Sequence, residues 1–406
     1  MPRREGGVAL CVVLCLLAGC DFFGLGTAGP PSPDYEVMST LGDRTEVLRG
    51  AFSPPSASGA PGATVSLTPV VQVRPPTVKN TQAQAGHVSY DPETERLHVA
   101  YKLSGASFGG GIDVLDVRPG TTAAALVEGR RSLHSSNVDI VAVRSDAGAE
   151  ALYAAGAVTT KKRRRSPAVV SKIVPGDTTV QAQTSKRLSH NVAKSVVLGT
   201  DPEAVYVPTD ENDLYRLGPD LETTTKQTAG GAAGFRSAVA QDGQIFVLDR
   251  SGRLLRTSAG DFQALSSVGT LTDGPFGNGT VARLHADADR LYAALNEQGF
   301  ALVAPTGAPM WTSGGASVSA ESRYTCVSTG PDYLYAGRFD GVIEVYRRPD
   351  TIPEQDLERV GTFGPWGGTY GADLSGAPIN HIEVVGDHLY AASSRDGLVV
   401  VRVNKE

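Results

Sequence analysis

The sequence predicts an all-β fold, a seven-bladed β-propeller of four-stranded blades. Three observations predict it. Short apolar strands recur along the chain with Asp- and Gly-bearing turns between them. Their spacing falls in the range of propeller blades. A strand-like segment ahead of the first unit supplies the strand that the last unit lacks. With 406 residues, 41% of them hydrophobic, the chain has enough apolar mass for a sizeable core.

The repeated unit is an apolar strand, an Asp/Gly turn, a Leu-Tyr-Ala-like strand, a Gly turn and a third strand. The last copy is the clearest: His381 to Val385, Gly386-Asp387, Leu389-Tyr390-Ala391-Ala392, Asp396-Gly397, then Leu398 to Val401. Leu334-Tyr335-Ala336 and Leu291-Tyr292-Ala293-Ala294 open two close copies. Ile245, Val205, Leu152 and Leu97 open looser ones. The seven second strands start at 97, 152, 205, 245, 291, 334 and 389, so successive copies lie 40 to 55 residues apart. Weaker outer strands are expected over 178–184, 221–228, 262–268, 310–313 and 357–362, because an outer strand has one edge in solvent.

The last unit reaches Glu406 with three strands only. The segment Ala63 to Val73 is therefore expected to pair beside Leu398 to Val403 and close the ring. Pro69 is expected to be tolerated there as an outermost, edge position. The propeller then covers 63–406. Residues 20–62 read as a flexible tether rich in Pro, Gly and Ser, with a short helix admissible between Thr40 and Phe52.

Residues 1–19 read as a signal peptide. Arg3 and Arg4 precede the apolar run Val8 to Leu17, which is too short to span a bilayer. The run ends Leu17-Ala18-Gly19-Cys20, which resembles the lipobox of bacterial lipoprotein precursors. That resemblance implies cleavage before Cys20, a diacylglyceryl group on its thiol and acylation, for instance with palmitate, of the new amino end. Two or more acyl chains give stable attachment where one does not. The implied partner is thus a lipid bilayer, and the implied place is the bacterial cell envelope, on its periplasmic or surface side. The other cysteines are Cys11, Cys15 and Cys326, which provide no disulfide framework; Cys326 reads as a buried apolar residue.

The ending Gly397-Leu398-Val399-Val400-Val401-Arg402-Val403 resembles the LVIVD-type repeat of bacterial surface propellers. The stretch Phe300 to Trp311, with Thr306-Gly307, is similar to a PQQ-like repeat, as in the propeller lipoprotein of the outer-membrane barrel assembly machinery. Neither pattern supplies a catalytic residue that maps onto this chain.

A net charge of −6 argues against a nucleic-acid binder held by a basic field. Gly24-Leu25-Gly26-Thr27-Ala28-Gly29 fits a dinucleotide fingerprint by spacing but lacks the strand before and the helix after it. Gly105-Ala106-Ser107-Phe108-Gly109 fits a nucleophile elbow but leads into another strand. Asp210-Glu211-Asn212-Asp213 is an acidic turn without the ligand ladder of a calcium loop. Lys161-Lys162-Arg163-Arg164-Arg165 is a solvated loop or a contact for anionic headgroups or an acidic partner. No cofactor or metal motif is expected.

Polar residues recur just before the innermost strands: His87, Asn137, His190 with Asn191, Arg236, Asn278, Arg323, and Asn380 with His381. They are expected to ring the mouth of the central channel. The second-to-third turns add Arg250, Arg338 and Arg395, and the loop from Gly364 to Pro378 adds Trp366 and Tyr370. The expected role is a non-catalytic binding or scaffold module for an envelope protein, peptide or glycan. The alternative is an envelope propeller enzyme, a lyase or hydrolase on a sugar or small ester, with His87, His190 and His381 as acid–base candidates.

Overall fold

Side chains alternate across a β-strand, so each Leu-Tyr-Ala segment has two faces and must bury both. A ring of radial sheets does this, because every sheet lies between two others. The computed structural model describes residues 32–38, 41, 44–48, 65–103, 108–146, 150–159, 166–189, 191–199, 204–222, 224–231, 234–272, 275, 282–306, 310–313, 323–352, 356–364 and 377–405. These residues form a seven-bladed β-propeller of antiparallel blades.

The innermost strands are, from blade 1 to blade 7, Gln84–Asp91, Val138–Asp146, Val197–Leu198, Phe235–Gln241, Arg283–Ala286, Tyr324–Thr329 and His381–Val385. Each touches the next, and His381–Val385 touches Gln84–Asp91, so the ring is closed. The outer strand of blade 7 is Val65–Val73, which pairs antiparallel with Gly397–Lys405; Leu67 lies opposite Val403 and Val73 opposite Leu398. The expected closure is therefore observed.

The core is divided among the seven interfaces between neighbouring blades. Tyr153, Tyr206, Phe246, Tyr292, Tyr335 and Tyr390 each pack toward the following blade. Their aliphatic neighbours, such as Leu389 and Ala391, pack toward the preceding one. Each fully buried Leu or Phe contributes roughly 1.5–3 kcal/mol. The Tyr153 hydroxyl donates to the Pro219 carbonyl of blade 3 at 2.7 Å, and that of Tyr206 to the Ala259 carbonyl of blade 4 at 2.6 Å. In blade 1 the corresponding position is the buried His98.

Three details differ from expectation. Blades 1 and 7 carry a fifth strand, and both come from the segment read as tether. Glu36–Met38 pairs with the outer strand of blade 1, and Thr45–Val47 with that of blade 7. The second of these is a strand where a short helix was admissible. Tyr35 and Leu41 are buried beside them, and Arg44 forms an ion pair with the buried Asp113, so the segment straddles the closure seam. The apolar residues interrupting the Pro/Gly/Ser composition are what dock it. The strand that carries Pro69, moreover, is not outermost along its whole length, since Thr45–Val47 covers Val71–Val73. Pro69 itself lies just outside that covered stretch and at a register shift, where the lack of a ladder donor is tolerated. A single helical turn, Ala123–Leu126, precedes the outer strand Val127–Ser135 of blade 1.

Candidate functional site

An inner strand begins on the face where the inter-blade connections and the second-to-third turns emerge. His87 and His381 sit there on adjacent blades 1 and 7, stacked with ring centroids 4.4 Å apart. Both are buried, and burial holds both imidazoles well below their ordinary range. His381 adds to the shift for His87, and Arg283 and Arg144 do so for both. The pair is therefore neutral at pH 7. Asn380 fastens the same seam by donating to the Ala85 carbonyl at 2.7 Å.

The arginines of this face are held by acidic neighbours. Arg236 is buried and pairs with Asp210 at 2.9 Å, which also meets Lys194 at 3.4 Å. Asp213 accepts from the Thr228 hydroxyl at 2.6 Å and pairs with Lys226 at 3.2 Å, so the acidic turn of blade 3 is an ion-pairing turn. Arg338 reaches Asp340 and, at 2.9 Å, the buried Glu344. Arg323 lies 3.8 Å from Glu297 and stands 4.3 Å over the ring of Phe339, itself 43% exposed. Arg395 and Asn191 are exposed. Cys20, His190, Asn278, Trp366, Tyr370 and the run Lys161 to Arg165 lie outside the described residues. The structure thus brings His87, Asn380 and His381 together, and sets Arg323, Arg338 and Arg395 in neighbouring blades of the same face.

The inner strands also carry polar residues that a search of the strand starts misses. Arg283, on blade 5, crosses the channel and donates to the Gly86 carbonyl of blade 1 at 2.7 Å. Beyond it, toward the ends of the inner strands, lies a cavity of about 310 Å³. Arg144 of blade 2, His285 of blade 5, and His381 and Glu383 of blade 7 form its polar wall. Val197, Leu198, Val239 and Ala240 of blades 3 and 4 are apolar lining residues. Burial drives His285 down to about 4, with Asp287 opposing and Arg144 and Arg348 adding. Burial pushes the Glu383 carboxyl up to about 7, against the pull of Arg144. The sequence signal was present: Val143-Arg144-Ser145, Arg283-Leu284-His285 and Ile382-Glu383-Val384 place a polar residue inside an apolar strand.

Among the described residues no group of three or more His, Cys, Asp or Glu is placed to hold a metal ion. Among the same residues no helix is long and apolar enough to cross a membrane. No protein-family model matches the chain, and no curated protein matches it.

Proposed function

We propose that the chain is a lipoprotein of the bacterial cell envelope, anchored through an acylated Cys20, whose propeller is a non-catalytic binding or scaffold module. Its partner is a protein, peptide or glycan of the envelope, engaged by the face of the inter-blade connections and second-to-third turns. The Leu17-Ala18-Gly19-Cys20 lipobox supports the anchor, and the LVIVD-like ending at Gly397 to Val403 supports kinship with surface propellers. A closed ring is a rigid mount for such a face, since the inner strand of every blade packs between those of its two neighbours.

One observation carries the choice of face. Phe339 stands exposed on blade 6 beneath the Arg323 guanidinium, with exposed Arg395 on the adjacent blade. Aromatic and arginine side chains are the residue types that most often dominate binding interfaces. The test is in-cell crosslinking and pull-down of the full chain. The Phe339→Ala/Arg395→Ala variant is expected to lose its captured partner while remaining folded, and unchanged capture rejects this face. Palmitate labelling tests the anchor, because Cys20→Ser abolishes incorporation if the lipobox is used.

A further inference from the structure

The central channel holds charge that the fold leaves uncompensated. The Arg144 side chain makes no hydrogen bond or close ion pair with any described residue and feels Glu383 only as a longer-range pull, although it is half-buried in the cavity wall. Arg283 uses one nitrogen on Gly86, while its Nε is buried without a partner among the described residues. His381 is 9% exposed, lines the cavity, and its Nδ1 is likewise without a partner. A guanidinium withdrawn from bulk water is unfavourable until an opposite charge or acceptor meets it. The groups that face this space are Arg144, Arg283, the neutral His87, His285 and His381, and Glu383. The balance is cationic, and the missing piece is an anion.

The other lining residues say what kind of anion. Val197 and Leu198 of blade 3 and Val239 and Ala240 of blade 4 offer hydrocarbon that a bare phosphate or acetate leaves uncovered. A volume of about 310 Å³ is at the low end for small-molecule sites. We propose that the channel binds a small organic monocarboxylate, its carboxylate toward Arg144 and its aryl or alkyl body against blades 3 and 4. Glu383 then acts as a carboxylic acid, donating its proton to a ligand carboxylate oxygen, and His285, fixed by Thr329 at 3.0 Å, closes the polar wall. This site shares His381 with the partner face but neither Phe339 nor Arg395, and it does not depend on the anchor at Cys20.

The test uses the full chain with benzoate as the probe, followed by calorimetric titration. Benzoate is expected to bind with a Kd below ~1 mM, with acetate, inorganic phosphate and benzyl alcohol each at least ~10-fold weaker. Arg144→Met is expected to weaken benzoate by about 10-fold or more while leaving the thermal midpoint within a few degrees. Affinity is expected to fall between about pH 6 and about pH 8 in the parent and to stay level in Glu383→Gln. Three results overturn the proposal: no benzoate binding, phosphate or acetate binding as tightly as benzoate, or Arg144→Met binding unchanged. The last two separate a plain anion site, and a site elsewhere, from the one argued here. Loss of partner capture by the face variant leaves this titration unaffected.

Discussion

Charge is handled in opposite ways on the third strand of blade 6 and in the central channel. On blade 6, Glu344 is 2% exposed and accepts from Arg338 at 2.9 Å, from Arg359 at 3.3 Å and from the hydroxyls of Tyr324 and Tyr346. Burial alone would raise its pKa, but these donors hold the carboxyl below its ordinary range. In the channel, the side chains of Arg144 and Glu383 attract each other across the cavity but accept or donate no such direct bond among the described residues. The difference teaches that an arginine-rich turn is not by itself a binding surface. Where the fold supplies the counter-charge, the arginine is structural; where it does not, the site is open to a ligand.

The contrast predicts a ranked set of effects. Glu344→Ala should be the most damaging, because it removes the buried acceptor of two hydroxyls and one of the two acidic partners of Arg338; about 3–5 kcal/mol is expected from urea unfolding. A loss below about 1 kcal/mol would make the blade 6 network incidental. Gly397→Ala comes next. Gly397 has φ 83° in the second-to-third turn of blade 7, and an added Cβ would run into the Val73 carbonyl of the closing strand. About 2 kcal/mol or more should be lost, visible as a lower thermal midpoint.

Acidity separates the groups further. The folded chain keeps His98 and His285 neutral down to about 4, whereas the ordinary value is 6.5. The unfolded chain binds those protons first, so stability falls as pH drops from 6.5 toward 4. Glu383 has the opposite sign. Its folded carboxyl keeps a proton up to about 7 against an ordinary 4.5, so its contribution is full below 4.5 and is lost as pH rises through 7. Urea midpoints across this range should show a shallower neutral-side slope in Glu383→Gln and an unchanged acid-side fall. Stability that is flat on the acid side would contradict the neutral histidines. A smaller loss is expected of Tyr153→Phe, which removes one hydrogen bond between blades 2 and 3 and should lower the urea midpoint by about 1 kcal/mol equivalent.

The blades were legible because strands buried on both faces read as continuous apolar runs, and in six of the seven second strands an aromatic residue follows the first aliphatic one. Ring closure was legible because the last unit lacked a strand that Val65–Val73 had the composition to supply. The outer strands were only roughly placed. Val127–Ser135 carries Glu128, Arg130 and Arg131, and its solvent-facing positions show no apolar alternation. Glu36–Met38 and Thr45–Val47 were hidden because three-residue strands give too short a pattern, and only tertiary contact with the seam defines them. The channel groups were missed for another reason. The polar residues were sought before the inner strands, whereas Arg144, His285 and Glu383 lie within them, facing a space that exists only once the ring is closed.

The most direct measurement of this account is a pair of urea unfolding curves on the full chain, for Arg338→Met and for Arg144→Met. A loss of about 3 kcal/mol or more is predicted for the first and a change within about 0.5 kcal/mol for the second. Equal losses in both variants would mean that the channel arginine is already compensated by the fold, and the division between structural and ligand-ready charge would be wrong.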